Sequence, residues 1–171
     1  MASQAGEALN VGRPMALDGR RMHRKLKASA VAKEPHLVWN AFVDLLAMEE
    51  YSVMSTLQKR AHLAFWYDAE VQNGGHHQYF ENVAGRRCHE TVEALLALGL
   101  DGQAKVLKAA IEVWESSTKR KPPRSVQEFA AAAREGEFGR FDDAYHGCSP
   151  KVMDVLQDVL AKNQVEFVII E

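Results

Sequence analysis

The sequence predicts an all-α protein, a single-domain multi-helix bundle with a short extended C-terminal tail. Three observations carry this reading. Apolar residues recur at spacings of three and four along most of the chain, the signature of amphipathic helices. Helix-start and helix-stop signals punctuate those stripes at regular intervals. Only the stretch Val165–Ile170 reads as β-like, and no second strand strong enough to build a sheet accompanies it.

Glu34–Pro35 opens the first strong helix, since a first-turn proline lacks an N–H that would be unpaired there anyway. Trp39, Phe42, Val43 and Leu46 then form one face, to about Glu50. Ser55 and Gln58 have the spacing of a capping box, in which each side chain satisfies the other's backbone N–H. Leu57, Ala61, Ala64, Phe65 and Val71 continue that helix until Asn73-Gly74-Gly75, residues that suit a left-handed stop. A short helix from His76 to Val83 follows.

Val92, Leu95 and Leu96 mark a fourth helix closed at Gly99, and Asp101 caps a fifth whose face is Ala104, Leu107, Ile111 and Trp114. Pro122 and Pro123 break the chain in a basic loop. Ser125-x-x-Glu128 is a further capping box, opening a helix through the alanines at 130–133. Phe138, Phe141 and Tyr145 suggest an irregular turn plugging the core. Ser149–Pro150 supplies an N-cap and first-turn proline for the last stripe, Val152, Val155, Leu156 and Val159. The extended tail is expected to lie against the bundle or a second subunit.

Charge divides the chain into two parts. Residues 1–33 carry seven Lys/Arg against two Asp/Glu and read as a basic, flexible N-terminal arm, although 20–33 also suits a basic helical turn. Residues 34–171 read as the helical domain, with a net charge of −7. No aromatic group accompanies the basic stretch from Arg20 to Lys33, so direct nucleic-acid binding is not expected. No run reaches the roughly 18–20 apolar residues that span a bilayer, and no apolar stretch of a secretory signal follows the basic residues. Cys88 and Cys148 are too few for a disulfide framework. Free thiols and a cytoplasmic location are the expectation.

Chemistry-bearing residues are densest between Trp66 and Asn82. A metal-dependent enzyme or sensor would draw on His62, His76, His77 and His89, but no metalloprotease or zinc-finger spacing occurs. His76 and His77 are adjacent, so on a helix they point about 100° apart. Cys88–His89 are sequence neighbours, whereas a nucleophile and its base need spatial convergence and a third, orienting group. No nucleophile elbow or phosphate-binding glycine motif is present. No catalytic, cofactor or metal residue is therefore assigned. A helix break leaves backbone groups unpaired, and side chains such as Glu70, Asn73, Gln78 and Asn82 are suited to stitch it together.

The run Glu70-Val71-x-Asn73-Gly74-Gly75-x-x-Gln78-Tyr79-Phe80-x-Asn82 resembles the signature of a bacterial helical family of unknown function that includes a Neisseria DNA-mimic protein. The resemblance covers about residues 36–170 in element order and is sharp over 66–82. It implies an all-helical, self-associating domain, hence a homodimer, without enzymatic activity. It also implies a regulatory role, in which an acidic face occupies the DNA-binding surface of a transcription factor. Candidates for such a face are Glu49, Glu50, Asp68, Glu90, Glu93, Asp142 and Asp143. The alternative in the same class is an immunity or antitoxin protein that neutralises a basic toxin by charge. The sequence departs from the family where His76 replaces the usual phenylalanine, so His76 is expected either to be partly exposed or to pair with a buried polar group. It departs again in acidity, because a duplex carries one charge per about 1.7 Å.

Overall fold

The computed structural model describes residues 22–83, 85–116, 125–127 and 136–171. Strand β1 (Arg24–Leu26) leads into helices α1 (Ala28–Lys33) and α2 (Leu37–Met48), then a 3₁₀ turn (Tyr51–Val53). Helix α3 (Thr56–Val83) is the spine of the molecule. It is followed by α4 (Cys88–Ala97), α5 (Asp101–Ser116), α6 (Gly139–His146), α7 (Val152–Phe167) and strand β2 (Val168–Ile170). Among the described residues the fold is all-α apart from one small sheet. The arm up to residue 21, the basic Pro122–Pro123 loop and the helix expected through 130–133 lie outside the described residues. No helix among the described residues is long and apolar enough to cross a membrane.

Helix α3 packs against α2, α4, α6 and α7, and α5 rests on α4 and α6. The apolar stripes read from the sequence meet around it. Phe42, Leu46, Ala61, Ala64, Val71, Leu95, Leu107 and Leu156 are all buried. Phe42 meets Phe167 edge-on at 4.8 Å between ring centres, and Phe80 stacks on Trp114 at 5.0 Å. Such aromatic pairs contribute beyond the area they bury. Phe138, Phe141 and Tyr145 are buried, so α6 closes this core as its spacing predicts.

Several elements differ from expectation. Residues 24–33 of the expected arm are a strand and a helix, and β1 pairs in parallel with β2 in the register Arg24↔Val168, Lys25↔Ile169, Leu26↔Ile170. A second strand therefore exists, although Arg-Lys-Leu carries almost no β signal. Tertiary partners specify it: the Arg24 guanidinium donates to Asp44 and Glu49, each at 2.5 Å. The tail is extended only from Val168, because α7 continues through Phe167 with a break at Asn163. Pro150 precedes α7 instead of opening it, and Lys151 is the N-cap. The buried Gln103 of α5 donates through Nε2 to the Pro150 carbonyl at 2.6 Å. In α4 the buried face is Thr91, Ala94 and Leu95, while Leu96 is half exposed.

The capping box forms as read: Ser55 N–H donates to Gln58 Oε1 at 2.9 Å, and Gln58 N–H donates to Ser55 Oγ at 3.3 Å. Gln58 does more than cap. Its Nε2 donates to the carbonyls of Met22 and Glu166, both at 2.6 Å, and the residue has no solvent exposure. One carboxamide thus ties the entry to β1, the start of α3 and the end of α7 together. Removing it strands two carbonyls and a cap, and leaving one buried polar group unpaired costs about 1–3 kcal/mol. Q58A is expected to lower unfolding stability by about 2–4 kcal/mol, measured as a fall in the urea midpoint at unchanged m-value.

Candidate functional site

The signature residues gather where α3 breaks. Its first half ends at Asn73, which is exposed, and Gly74 follows in a non-helical conformation at φ −157°, ψ 22°. Gly75 takes φ 73° and ψ −174°, a region that only glycine occupies without strain. Space makes the same demand. A Cβ on Gly75 would stand 2.5 Å from Asp142 Oδ2, so the carboxylate fills the notch that the missing side chain leaves. Gln78 lies equally close against Gly74.

Breaking a helix exposes the N–H groups of its next turn. Here Asp142, sixty-six residues away on α6, accepts from the backbone N–H of His76 at 2.9 Å. The same oxygen accepts from His76 Nδ1 at 2.6 Å. Nδ1 facing a carboxylate must carry the proton, which leaves Nε2, 2.8 Å away, to accept from the Tyr67 hydroxyl. His76 is fully buried, so of its two expected outcomes the pairing with polar groups is the one observed. Beside it, the Tyr145 hydroxyl of α6 donates to Asp68 of α3. Two carboxylates and two phenols therefore bind α6 to the first and second halves of α3.

On the opposite side of the break, Glu70 Oε2 accepts from Gln78 Nε2 at 2.7 Å and from Asn82 Nδ2 at 2.6 Å. This is the amide stitching that the residue types suggest. Tyr79 and Phe80 point into the core, and the Tyr79 hydroxyl donates to Thr91 at 3.1 Å.

Burial by itself would raise the Asp142 carboxyl, but the hydrogen bonds from the His76 ring and backbone outweigh burial and hold the group below the usual carboxylate range. Burial drives the Tyr67 and Tyr145 hydroxyls far upward, so both are neutral donors at any accessible pH. The Asp142–His76–Tyr67 chain has the order of a catalytic relay. Its hydroxyl, however, sits on a residue with no exposed surface, so no substrate reaches it.

The other candidates are dispersed. Burial pushes the Cys88 thiol up to about 11, and His89 next to it turns outward to Glu115 at 2.9 Å. That pair is not a nucleophile with its base. His62 bonds the Leu46 carbonyl through Nδ1 at 2.8 Å, and the His77 ring packs 6.3 Å from that of Phe138. No group of three potential metal ligands forms among the described residues.

The seven carboxylates considered for an acidic face differ in exposure. Asp68 is buried and Asp142 faces His76, while Glu49 is bound by Arg24. Glu50, Glu90, Glu93 and Asp143 are exposed. Glu90 and Glu93 line a shallow groove between α3 and α4 that Tyr51, Lys59 and Arg60 also border. Sequence reading missed Tyr67 and Asp142 as structural partners, and read Gln58 as a cap without its bonds to Met22 and Glu166. A histidine on a buried face signals that a partner is needed, but nothing local names a residue on α6.

A family model described as DMP19-like protein matches residues 53–163, well over half of the chain. No curated protein and no solved structure matches.

Two outcomes follow from the corner. G75A is expected to lose at least about 1–3 kcal/mol through the strained φ and the displaced carboxylate, read from thermal or urea unfolding. Because folding lowers the Asp142 pKa, the group stabilises the fold above the ordinary value near pH ~3.9, and the gain is lost as pH falls through the lower folded value. The urea midpoint of the native chain should therefore exceed that of D142N at about pH 5, and the gap should narrow by about pH 3.

Proposed function

Because the chain belongs to the DMP19-like protein family, we propose that it is a non-enzymatic interaction domain, a DNA-mimic-type regulator that binds a DNA-binding protein through surface carboxylates. Family membership is the observation that carries this reading. The sign of the body supports it, since the described residues hold nineteen Asp/Glu and thirteen Lys/Arg, a net of −6. The corner supports it as well, because the polar signature side chains Glu70, Gln78 and Asn82 are engaged with one another.

Glu50, Glu90, Glu93 and Asp143 are the members of the acidic set that are exposed, Glu90 already accepting from the Tyr51 hydroxyl and pairing with Arg87. Carboxylates steer a basic partner and set the salt dependence of its binding more than they add affinity. Homodimeric assembly in the cytoplasm completes the proposal, and light scattering on the purified chain measures the dimer. A basic toxin satisfies the same charge rule, so the partner's identity separates a regulator from an immunity protein.

The test is a pull-down from the native host with mass spectrometry, washed at about 50 and about 500 mM salt. A DNA-binding protein held at low salt, released at high salt and displaced by duplex DNA is expected. E50K/E90K/E93K should weaken its binding by about tenfold or more. Binding that ignores both salt and charge reversal would refute the electrostatic reading, and recovery of a toxin would replace the regulator with its alternative.

A further inference from the structure

Two helical segments meeting at a corner ordinarily fill the angle between them with apolar side chains. In α3 part of that angle is an open, polar groove. His62, Trp66 and Glu70, four residues apart and so on one face of the first half, form one wall. Asn82 and Val83 of the second half, running into Arg86 and Arg87 of the next turn, form the other. Its volume is about 490 Å³, inside the roughly 300–1,000 Å³ range of small-ligand sites.

Each wall offers unfinished chemistry. Trp66 leaves 36 % of its surface uncovered, although an indole of that size is usually better buried. The Arg86 side chain is exposed and has no ion-pair partner among the described residues. Arg87 is fixed in place, its guanidinium 3.8 Å over the Tyr51 ring and 3.5 Å from Glu90. Glu70 receives both amides on Oε2, which leaves Oε1 as an acceptor. The Nδ1 of His62 is committed to Leu46, which leaves Nε2 to accept. The groove therefore combines an aromatic surface, a pair of guanidinium groups and two acceptors.

The complementary ligand is a flat ring bearing N–H donors and joined to an acid. We infer that this groove binds a small aromatic anion, with its ring on Trp66, its acid group on Arg86 and Arg87, and a ring N–H or amino group donating to Glu70. Guanidinium groups suit carboxylate and phosphate alike, so the acid is either a phosphate, as in a nucleoside monophosphate, or a carboxylate, as in an indole acid. The site adjoins the carboxylates proposed to meet a protein partner at one point, because Glu90 also holds Arg87.

Calorimetric titration of the full chain with adenosine monophosphate and with indole-3-acetate tests the inference and separates the two sources. At least one should bind with Kd below about 1 mM. Adenosine, indole, acetate and inorganic phosphate alone should each bind about tenfold more weakly or not at all. W66A and R86A alter exposed side chains, so circular dichroism should show them folded, and each should weaken binding by about tenfold. Failure of both anions to bind below about 1 mM, or binding unchanged in folded W66A and R86A, overturns the assignment.

Discussion

The structure depends on one carboxylate. Asp142 takes the place that the preceding helical turn would hold for His76 N–H, and does so as an anion at a helix start, where the backbone dipoles favour negative charge. The same oxygen holds the imidazole, whose other nitrogen reaches Tyr67 on the far side of the break. The angle of the broken spine is therefore fixed from α6, from outside the helix that bends. Tyr145 and Asp68 close the ring one turn further on, so α6 is held at two points and the fully buried Tyr67 at its centre.

What the sequence made legible was what neighbouring residues decide. The Ser55–Gln58 cap, the Asn73-Gly74-Gly75 break and the Phe138–Tyr145 plug are encoded within a few positions, and all three are present. The all-α class follows from the same local periodicity. What escaped was specified at long range. Asp68 and Asp142 look in composition like any other surface acids, yet Asp68 lies on the side of α3 covered by α6, where the Tyr145 hydroxyl meets it. Arg24 reads as one more charge in a basic stretch until Asp44 and Glu49 of α2 stand beside it. Nothing within ten residues of either side chain reveals the partner.

Bending α3 brings Asn82 back to Glu70, so the angle is braced by hydrogen bonds instead of apolar contact. Bracing of that kind keeps the walls apart and leaves guanidinium groups beside an indole. Of the acids proposed to meet a partner, Glu50, Glu93 and Asp143 lie elsewhere, and only Glu90 touches the groove, through Arg87. A protein partner on the acids and a small anion in the groove would therefore meet at the Arg87–Glu90 pair.

The parallel pairing of β1 with β2 has a consequence for synthesis. Strand β1 is made early, but its partner in the register Arg24↔Val168 leaves the ribosome only after the described helices have been translated. Until then the Gln58 carboxamide lacks the Glu166 carbonyl, and Phe42 lacks Phe167. Closing so long a loop costs entropy before any contact returns it. The nascent chain is thus held short of its final state, with α2 and the start of α3 needing protection from other chains until the last strand arrives.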